Sequence, residues 1–218
     1  MTILLEAAVD SLDDALAAVD GGADRLELCA DLRVGGTTPA RDLISAVLAA
    51  VDVPVLVMIR PRGGSFVYSA GELDRMRNDI ESALAIGAAG VVLGVLDAQH
   101  GVDAARTEAL VRLAGGERVT FHRAIDRTPD ILASADILAS LGIGRVLTSG
   151  AAATAIEGAD TLRALVERVG DRVQILAGGG VRAANVRDVV RRSGVGEVHA
   201  RCEGDAERIR AIKAALVR

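Results

Sequence analysis

Eight short runs of β-branched and apolar residues recur along this chain, and alanine-rich amphipathic segments separate them. Strict alternation of strand and helix predicts a parallel sheet connected by crossover helices. Eight such units in 218 residues fall at the lower end of the size range of (β/α)8 barrels. We therefore predict an α/β fold, a (β/α)8 TIM barrel that forms a single domain over residues 1–218. The predicted strands are residues 3–9, 25–30, 53–60, 90–96, 118–124, 145–149, 172–178 and 197–200.

Glycine positions support the helical segments between these strands. The helix candidates include "SLDDALAAVDGG", "DLISAVLAAVD", "GELDRMRNDIESALAIG" and "TLRALVERVG". Several helices are predicted to end at a glycine, as at Gly21, Gly87, Gly142 and Gly170, which suits a C-terminal cap. The alternative fold is an open doubly wound sheet, whose first βα turn often carries G-x-G-x-x-G. The first turn here, "AAVDSLDDA", contains no glycine, and this favours the barrel.

Charge balance and the N-terminal sequence argue against two classes of partner. The formal net charge is -5 and no basic cluster is visible, so we predict no nucleic-acid partner. The stretch "MTILLEAAVD" lacks the basic start of a signal peptide, and no apolar run approaches the roughly 20 residues that span a bilayer. Two cysteines are too few for a disulfide framework. These features predict a soluble cytoplasmic protein with no membrane partner.

Charged side chains are predicted to point into the barrel lumen near the carboxyl ends of several strands. Alternate residues of a barrel strand face the lumen, and the helix-facing set must be apolar. This rule directs inward Glu6, Glu27, Arg60, His122 and His199. A buried ion costs several kcal/mol, so five such groups indicate a ligand-binding or catalytic site at the mouth where barrel enzymes place their chemistry. The two glutamates and two histidines are candidate acids and bases.

Loop residues at the same mouth are predicted to complete the site. In "VTFHRAID", Arg123 and Asp126 follow strand five, and we predict substrate binding for the arginine and catalysis for the aspartate. The stretch "LAGGGV" follows strand seven, where barrels often bind phosphate through backbone N–H groups. We predict that Gly178, Gly179 and Gly180 bind an anion there, with Thr148 and Ser149 of "LTSG" as further donors.

An arginine-rich loop follows strand three in "MIRPRGGSFVYS". Arg60 and Arg62 flank Pro61, and two glycines come next. A rigid turn between two guanidinium groups beside a flexible glycine pair is typical of an anion clamp with a lid. The alternative is a surface loop whose arginines are solvated.

These stretches together resemble the copper homeostasis protein CutC family. The resemblance rests on "GGADRLELCADLRVGGTTP", "VPVLVMIRPRGGSFVYS", "VTFHRAID", "RVLTSG" and "LAGGGV", in this order, and it covers nearly the whole chain. It implies a cytoplasmic (β/α)8 barrel, often oligomeric, that takes part in copper homeostasis by binding copper.

Copper binding requires suitable ligand residues. Cu(I) favours thiolate and thioether ligands, so Cys29 is the candidate metal ligand, with Cys202, Met58 and the two inward histidines as further candidates. No C-x-x-C spacing is present, and Cys202 lies in "HARCEG", where the family usually has small residues.

Three functions remain open at this point. The first is a copper-binding protein. The second is a TIM-barrel enzyme that acts on a small phosphorylated or carboxylated metabolite by acid/base chemistry at the C-terminal mouth. The third is a scaffold, for which no surface is singled out. The expected partners are a small anionic ligand and, from the resemblance, further copies of the chain.

Overall fold

The computed structural model describes residues 2–217 and contains a closed barrel of eight parallel strands in sequence order. The barrel closes because β8 pairs with β1, so that Glu6 lies opposite both Arg25 of β2 and His199 of β8. The predicted (β/α)8 TIM barrel is confirmed. The strands are β1 Leu4–Val9, β2 Arg25–Leu28, β3 Val55–Met58, β4 Gly90–Leu93, β5 Val119–Phe121, β6 Arg145–Thr148, β7 Gln174–Gly178 and β8 Glu197–Arg201.

A helix follows each strand and packs on the outside of the barrel. Gly21 and Gly170 are C-caps as predicted, whereas Gly87 and Gly142 lie just beyond the caps with φ of 102° and 71°. No helix within residues 2–217 combines the length and the apolar character needed to cross a bilayer. The helices are α1 Leu12–Asp20, α2 Arg41–Ala50, α3 Ala70–Ala85, α4 Ala104–Ala114, α5 Ile131–Ser140, α6 Ala159–Val169, α7 Val186–Ser193 and α8 Ala206–Val217.

Several strands are shorter than predicted, and β3 shows the reason. The predicted run 53–60 shrinks to Val55–Met58. Beyond it, Ile59 still donates its N–H to Val92, but the N–H of Arg60 binds the Thr38 hydroxyl at 2.9 Å. Arg60 therefore lies in the loop after β3, where strand alternation no longer fixes the direction of a side chain.

The barrel has an apolar layer under the helices and a mixed lumen. Helix-facing residues such as Leu5, Leu26 and Phe121 are fully buried in the larger apolar cluster. The lumen contains a small cluster of Cys29, Leu56, Met58 and Val92. Most barrel lumens are filled by branched aliphatic side chains. Here charged side chains take much of that space.

An ion network occupies the lumen at the amino ends of the strands. Arg25 lies 2.5 Å from Glu6 and 2.5 Å from Glu197, and Arg145 lies 2.7 Å from Glu197. Both arginines are the first residues of their strands. Neither was among the predicted inward residues, although Arg25 has the same parity as Glu27. The network supports Glu6 from below and so positions the site above it.

Candidate active site at the carboxyl end of the barrel

A cavity of about 1210 Å³ opens at the carboxyl ends of the strands. Its floor is made by inward residues of the strands, and its rim is made by the βα loops. The rim carries more cationic than anionic side chains, so the cavity favours a negatively charged ligand. The charged and imidazole residues that line it are Glu27, Arg60, His100, His122, Arg123, Asp126, Arg127, Arg182, His199, Arg201 and Glu203.

His199 lies between two carboxylates at the floor of this cavity. Its Nδ1 is 2.8 Å from Oε1 of Glu6, and its Nε2 is 3.7 Å from Oε2 of Glu27. Each of the three residues offers a ligand atom within 4.8 Å of the others. The structure therefore brings together three of the predicted acid/base residues, with Glu6 fully buried beneath the other two.

Opposite charges set the protonation of this group. Burial alone would raise the pKa of Glu6, but the hydrogen bond with His199 and the charge of Arg25 outweigh burial and lower that pKa to about 2. Burial alone would lower the pKa of His199, but the charge of Glu27 and the bond to Glu6 raise it above its usual value. His199 is thereby stabilised as an imidazolium held by an ionised Glu6.

Glu27 is the carboxylate of this group that remains available to a ligand. Burial raises its pKa, followed by a smaller raising effect from the charge of Glu6, and these outweigh the opposing charge of His199. Its Oε2 faces the Cys29 thiol at 3.7 Å, whereas its buried Oε1 has no hydrogen-bond partner within residues 2–217. A desolvated carboxylate with an unused oxygen is suited to accept a proton from a ligand.

His122 occupies the other side of the cavity in the neutral state. Burial and the nearby Arg60 guanidinium lower the pKa of His122 to about 3. Its ring stacks against Phe66 with the ring centroids 4.9 Å apart. Gly94 makes room for it, since a Cβ there would clash with Cε1 of the imidazole. A predicted acid or base is therefore held as an uncharged imidazole.

Asp126 differs from its predicted catalytic role because its oxygens are already occupied. It accepts hydrogen bonds from Arg123 Nε, the Thr148 hydroxyl and the backbone N–H groups of Ser149 and Ala151. A carboxylate with this many donors holds the loops after β5 and β6 together. Thr148 and Ser149 are fully buried behind the cavity lining, so their predicted role as substrate donors is not supported by their positions.

The glycine loop after β7 presents backbone donors to the cavity. Gly179 and Gly180 line it with φ of 107° and 69°, a conformation that favours glycine. Among the described residues, the N–H groups of Gly179, Gly180 and Val181 donate no hydrogen bond. Gly178 has a different role, since a Cβ there would lie 2.5 Å from Leu147. It permits close packing beneath the loop.

The two arginines of the predicted anion clamp are engaged elsewhere. Arg60 lines the cavity, but its terminal nitrogens donate to the carbonyl oxygens of Val34, Gly36 and Gly64, each at 3.0 Å. It joins two loops of the mouth, and only its buried Nε lacks a partner in the described chain. Arg62 binds Glu72 at 2.6 Å and lies outside the cavity lining. The predicted clamp is therefore a loop-bracing pair.

The two cysteines lie on opposite sides of the sheet. Cys29 belongs to the lumen cluster, whereas Cys202 packs in the apolar layer under the helices. Burial, followed by the charge of Glu27, raises the pKa of Cys29 well above its usual value. Burial raises the pKa of Cys202 to about 12. A metal site built from both thiols does not fit this arrangement.

Sequence comparison identifies the family to which the chain belongs. The sequence profile of the CutC family matches residues 3–204. A CutC-named protein of Xanthomonas campestris is 47% identical over 200 residues, which cover 92% of this chain and 83% of that protein. The chain belongs to the CutC family. A CutC-named protein of Caulobacter vibrioides is 46% identical over 197 residues, covering 90% of this chain and 80% of that protein.

Comparison with solved structures also finds a member of the CutC family. A structure described as a copper homeostasis protein CutC, from Streptococcus agalactiae, superimposes with a TM-score of 0.85 at 38% identity. The superposition covers 90% of this chain and 97% of the Streptococcus agalactiae chain. Thiamine phosphate pyrophosphorylase of Pyrococcus furiosus shares the fold at a TM-score of 0.65 and 18% identity, covering 99% and 96% of the two chains.

Proposed function

We propose that this CutC protein is an enzyme that acts on a small anionic metabolite, phosphorylated or carboxylated, by acid/base chemistry. The observation that carries the proposal is the pair at the cavity floor. Glu27, whose Oε1 has no partner within residues 2–217, lies 3.7 Å from His199, and Glu6 binds the other ring nitrogen of His199 at 2.8 Å. A base and an acid whose environments set opposite charges are the parts that proton transfer requires. In this assignment Glu27 accepts a proton, His199 donates one, and Glu6 holds the imidazole in place.

The rim supports an anionic substrate. The loop of Gly179, Gly180 and Val181 lines the cavity after β7, where barrel enzymes commonly bind phosphate, and its backbone N–H groups donate no hydrogen bond within residues 2–217. Arg201 stands beside them at the cavity edge, exposed, and makes no ion pair among residues 2–217. A guanidinium with no internal partner is free to bind a phosphate or carboxylate group.

Inorganic phosphate is the probe for this anion site. We expect saturating phosphate, about 100-fold above its Kd, to raise the Tm by roughly 5–10 °C. Arg201→Met removes the charge and keeps the aliphatic stem, so we expect about a tenfold loss of phosphate affinity. The matched control is Arg77→Met on the outer face of α3, which should keep the full response. The measurement is thermal unfolding against phosphate concentration at constant ionic strength.

Two results would count against the anion site. No stabilisation by phosphate at any concentration would remove the proposed ligand class. An equal loss in both arginine variants would mean that phosphate responds to the overall positive charge of the surface and not to this cavity.

Copper binding is a second candidate, favoured by two sulfur-containing side chains, Cys29 and Met58, that approach the same point. A Cβ on Gly36 would lie 2.9 Å from the Cys29 Sγ and 3.5 Å from the Met58 Cε, so the two side chains face the same point. Thiolate and thioether are the ligands that Cu(I) favours. The group of Glu6, Glu27 and His199 fits Cu(I) less well, because its carboxylates suit harder cations and Arg25 occupies one of the Glu6 oxygens.

A competition titration tests the copper candidate. If Cu(I) is held in the lumen, Cys29→Ser should weaken its affinity at least tenfold against a chromogenic Cu(I) chelator. Cys202→Ser is the matched control and should change nothing, because that thiol lies outside the barrel wall. Equal affinity in the wild type and in Cys29→Ser would end this candidate.

Location and assembly stay predictions. Two free buried cysteines are consistent with the reducing cytoplasm that we propose for this chain. The acidic net charge of -5 supports the absence of a nucleic-acid partner. Assembly into a homo-oligomer is proposed only from the resemblance to the family.

A further inference from the structure

His199 at the cavity floor favours the charged imidazolium, whereas His122 at the cavity wall favours the neutral imidazole. His122 takes no part in the proton transfer between Glu27 and His199. It lines the cavity and is 4% exposed. Its ring position is fixed by Phe66 on one side and by the space left at Gly94 on the other. A side chain held this rigidly beside a ligand cavity is suited to a directed hydrogen bond.

The backbone determines which nitrogen of His122 carries the proton. Its Nδ1 accepts a hydrogen bond from the N–H of Ala124 at 3.2 Å. A nitrogen that accepts a hydrogen bond carries no proton, so the neutral ring is protonated at Nε2. The buried Nε2 finds no partner within residues 2–217. His122 therefore has one N–H donor that the protein itself does not use.

Burial, together with the nearby Arg60 cation, keeps the His122 ring from becoming an imidazolium. The guanidinium of Arg60 stacks over Phe66 at 4.7 Å, and the same Phe66 ring contacts His122. This cation and burial together hold the pKa of His122 at about 3. An uncharged Nε2–H polarises a carbonyl oxygen without first giving up its proton, as neutral imidazoles do in other barrel enzymes.

We propose that His122 is a catalytic residue that donates its Nε2–H to a carbonyl oxygen of the substrate, where negative charge develops during proton abstraction. This inference rests on the proposed function and narrows its substrate to an anionic metabolite with a C–H bond next to a carbonyl. Glu27 takes the proton from that carbon, the C–H electron pair forms the new C=C bond, and the carbonyl π pair moves onto the oxygen. The oxygen becomes an enolate that His122 stabilises. His199 then gives a proton to the carbon that lost one, the C=C pair forms the new C–H bond as the C=O bond is restored, and the product is the epimer. The proton on Glu27 returns to His199, 3.7 Å away, which restores both groups.

Nitrogen-15 NMR of histidine-labelled protein tests the donor itself without any ligand. We expect His122 to show the neutral Nε2–H tautomer from pH 8 down to about pH 5, while His199 is protonated at neutral pH. A neutral Nδ1–H tautomer, or an imidazolium at His122 near neutral pH, would overturn the inference whatever the phosphate experiment shows.

Binding of 2-phosphoglycolate, whose carboxylate imitates an enediolate, tests contact with the substrate oxygen. His122→Phe keeps the aromatic packing and removes the donor. It should lower the affinity for 2-phosphoglycolate at least tenfold and leave the affinity for inorganic phosphate unchanged. His122→Gln keeps an N–H donor and should restore most of the affinity.

The two ligands separate the possible failures. If phosphate binds but the affinity for 2-phosphoglycolate is the same in wild type and His122→Phe, the proposed function stands and the proposed role of His122 is wrong. An equal loss of both ligands in His122→Phe also overturns that role, because the effect is then structural. If neither ligand binds the wild-type protein, the proposed function fails together with the inference.

Discussion

Arg25→Met is expected to lower the free energy of unfolding by roughly 3–5 kcal/mol. Arg25 is almost fully buried and lies 2.5 Å from both Glu6 and Glu197. Its removal leaves two carboxylates in the lumen with less compensating charge, since Arg145 reaches only Glu197. Methionine fills much of the same volume, so the loss reports the unpaired charges and not an empty cavity.

Urea unfolding at neutral pH measures this loss. Arg201→Met is the matched control, since Arg201 is exposed and should change stability by less than about 0.5 kcal/mol. Adding Glu197→Gln to Arg25→Met should recover part of the stability, because it removes one of the two stranded charges. A loss below about 1 kcal/mol in Arg25→Met would contradict the role of Arg25 as the buried counter-charge of both carboxylates.

His122→Phe is expected to remove a large part of the acid sensitivity of the fold. The pKa of His122 is about 3 in the folded protein against 6.5 for an unperturbed histidine. Between these values the unfolded chain binds more protons, so stability is lost as the pH falls from about 6.5 towards 3. At about 1.4 kcal/mol per pKa unit, this contribution amounts to roughly 5 kcal/mol. Phenylalanine has no proton to bind, so the variant should lack that part of the decline.

The comparison requires unfolding curves at a series of pH values for wild type and variant. The readout is the slope of stability against pH, which is independent of any constant change caused by the substitution. His100→Asn serves as control, because His100 is exposed and adopts a φ of 62° that asparagine tolerates. Glu6 adds a separate loss between about pH 4.5 and 2 in every variant. Parallel slopes in wild type and His122→Phe would contradict a neutral His122.

Strand alternation predicted the floor of the site well. Glu6, Glu27 and His199 are inward and close together because each lies within or directly beside a regular strand that the pleat orients. The same rule, applied fully, would have identified Arg25 and Arg201, which share the parity of Glu27 and His199. The alternation of the strands therefore predicts both the ion network around Arg25 and the inward position of Arg201.

Loop residues were predicted less well because no periodicity orients them. Arg60 lies two residues beyond β3, and its terminal nitrogens satisfy loop carbonyl groups. Asp126 was expected to act on a ligand, but its carboxylate accepts hydrogen bonds from Thr148 and Ser149 at the end of β6. Which carbonyl or N–H a loop side chain meets depends on the tertiary path of two loops at once, and a single sequence does not contain that information.

The pairing of β1 with both β2 and β8 has a consequence for how the protein comes into being. Glu6 receives Arg25 from one neighbour early in the chain and His199 from the other nearly two hundred residues later. A ribosome must therefore release almost the entire polypeptide before the acid meets its imidazole. Closure of the barrel and assembly of the Glu6–His199 pair therefore occur together, and an incomplete chain lacks both.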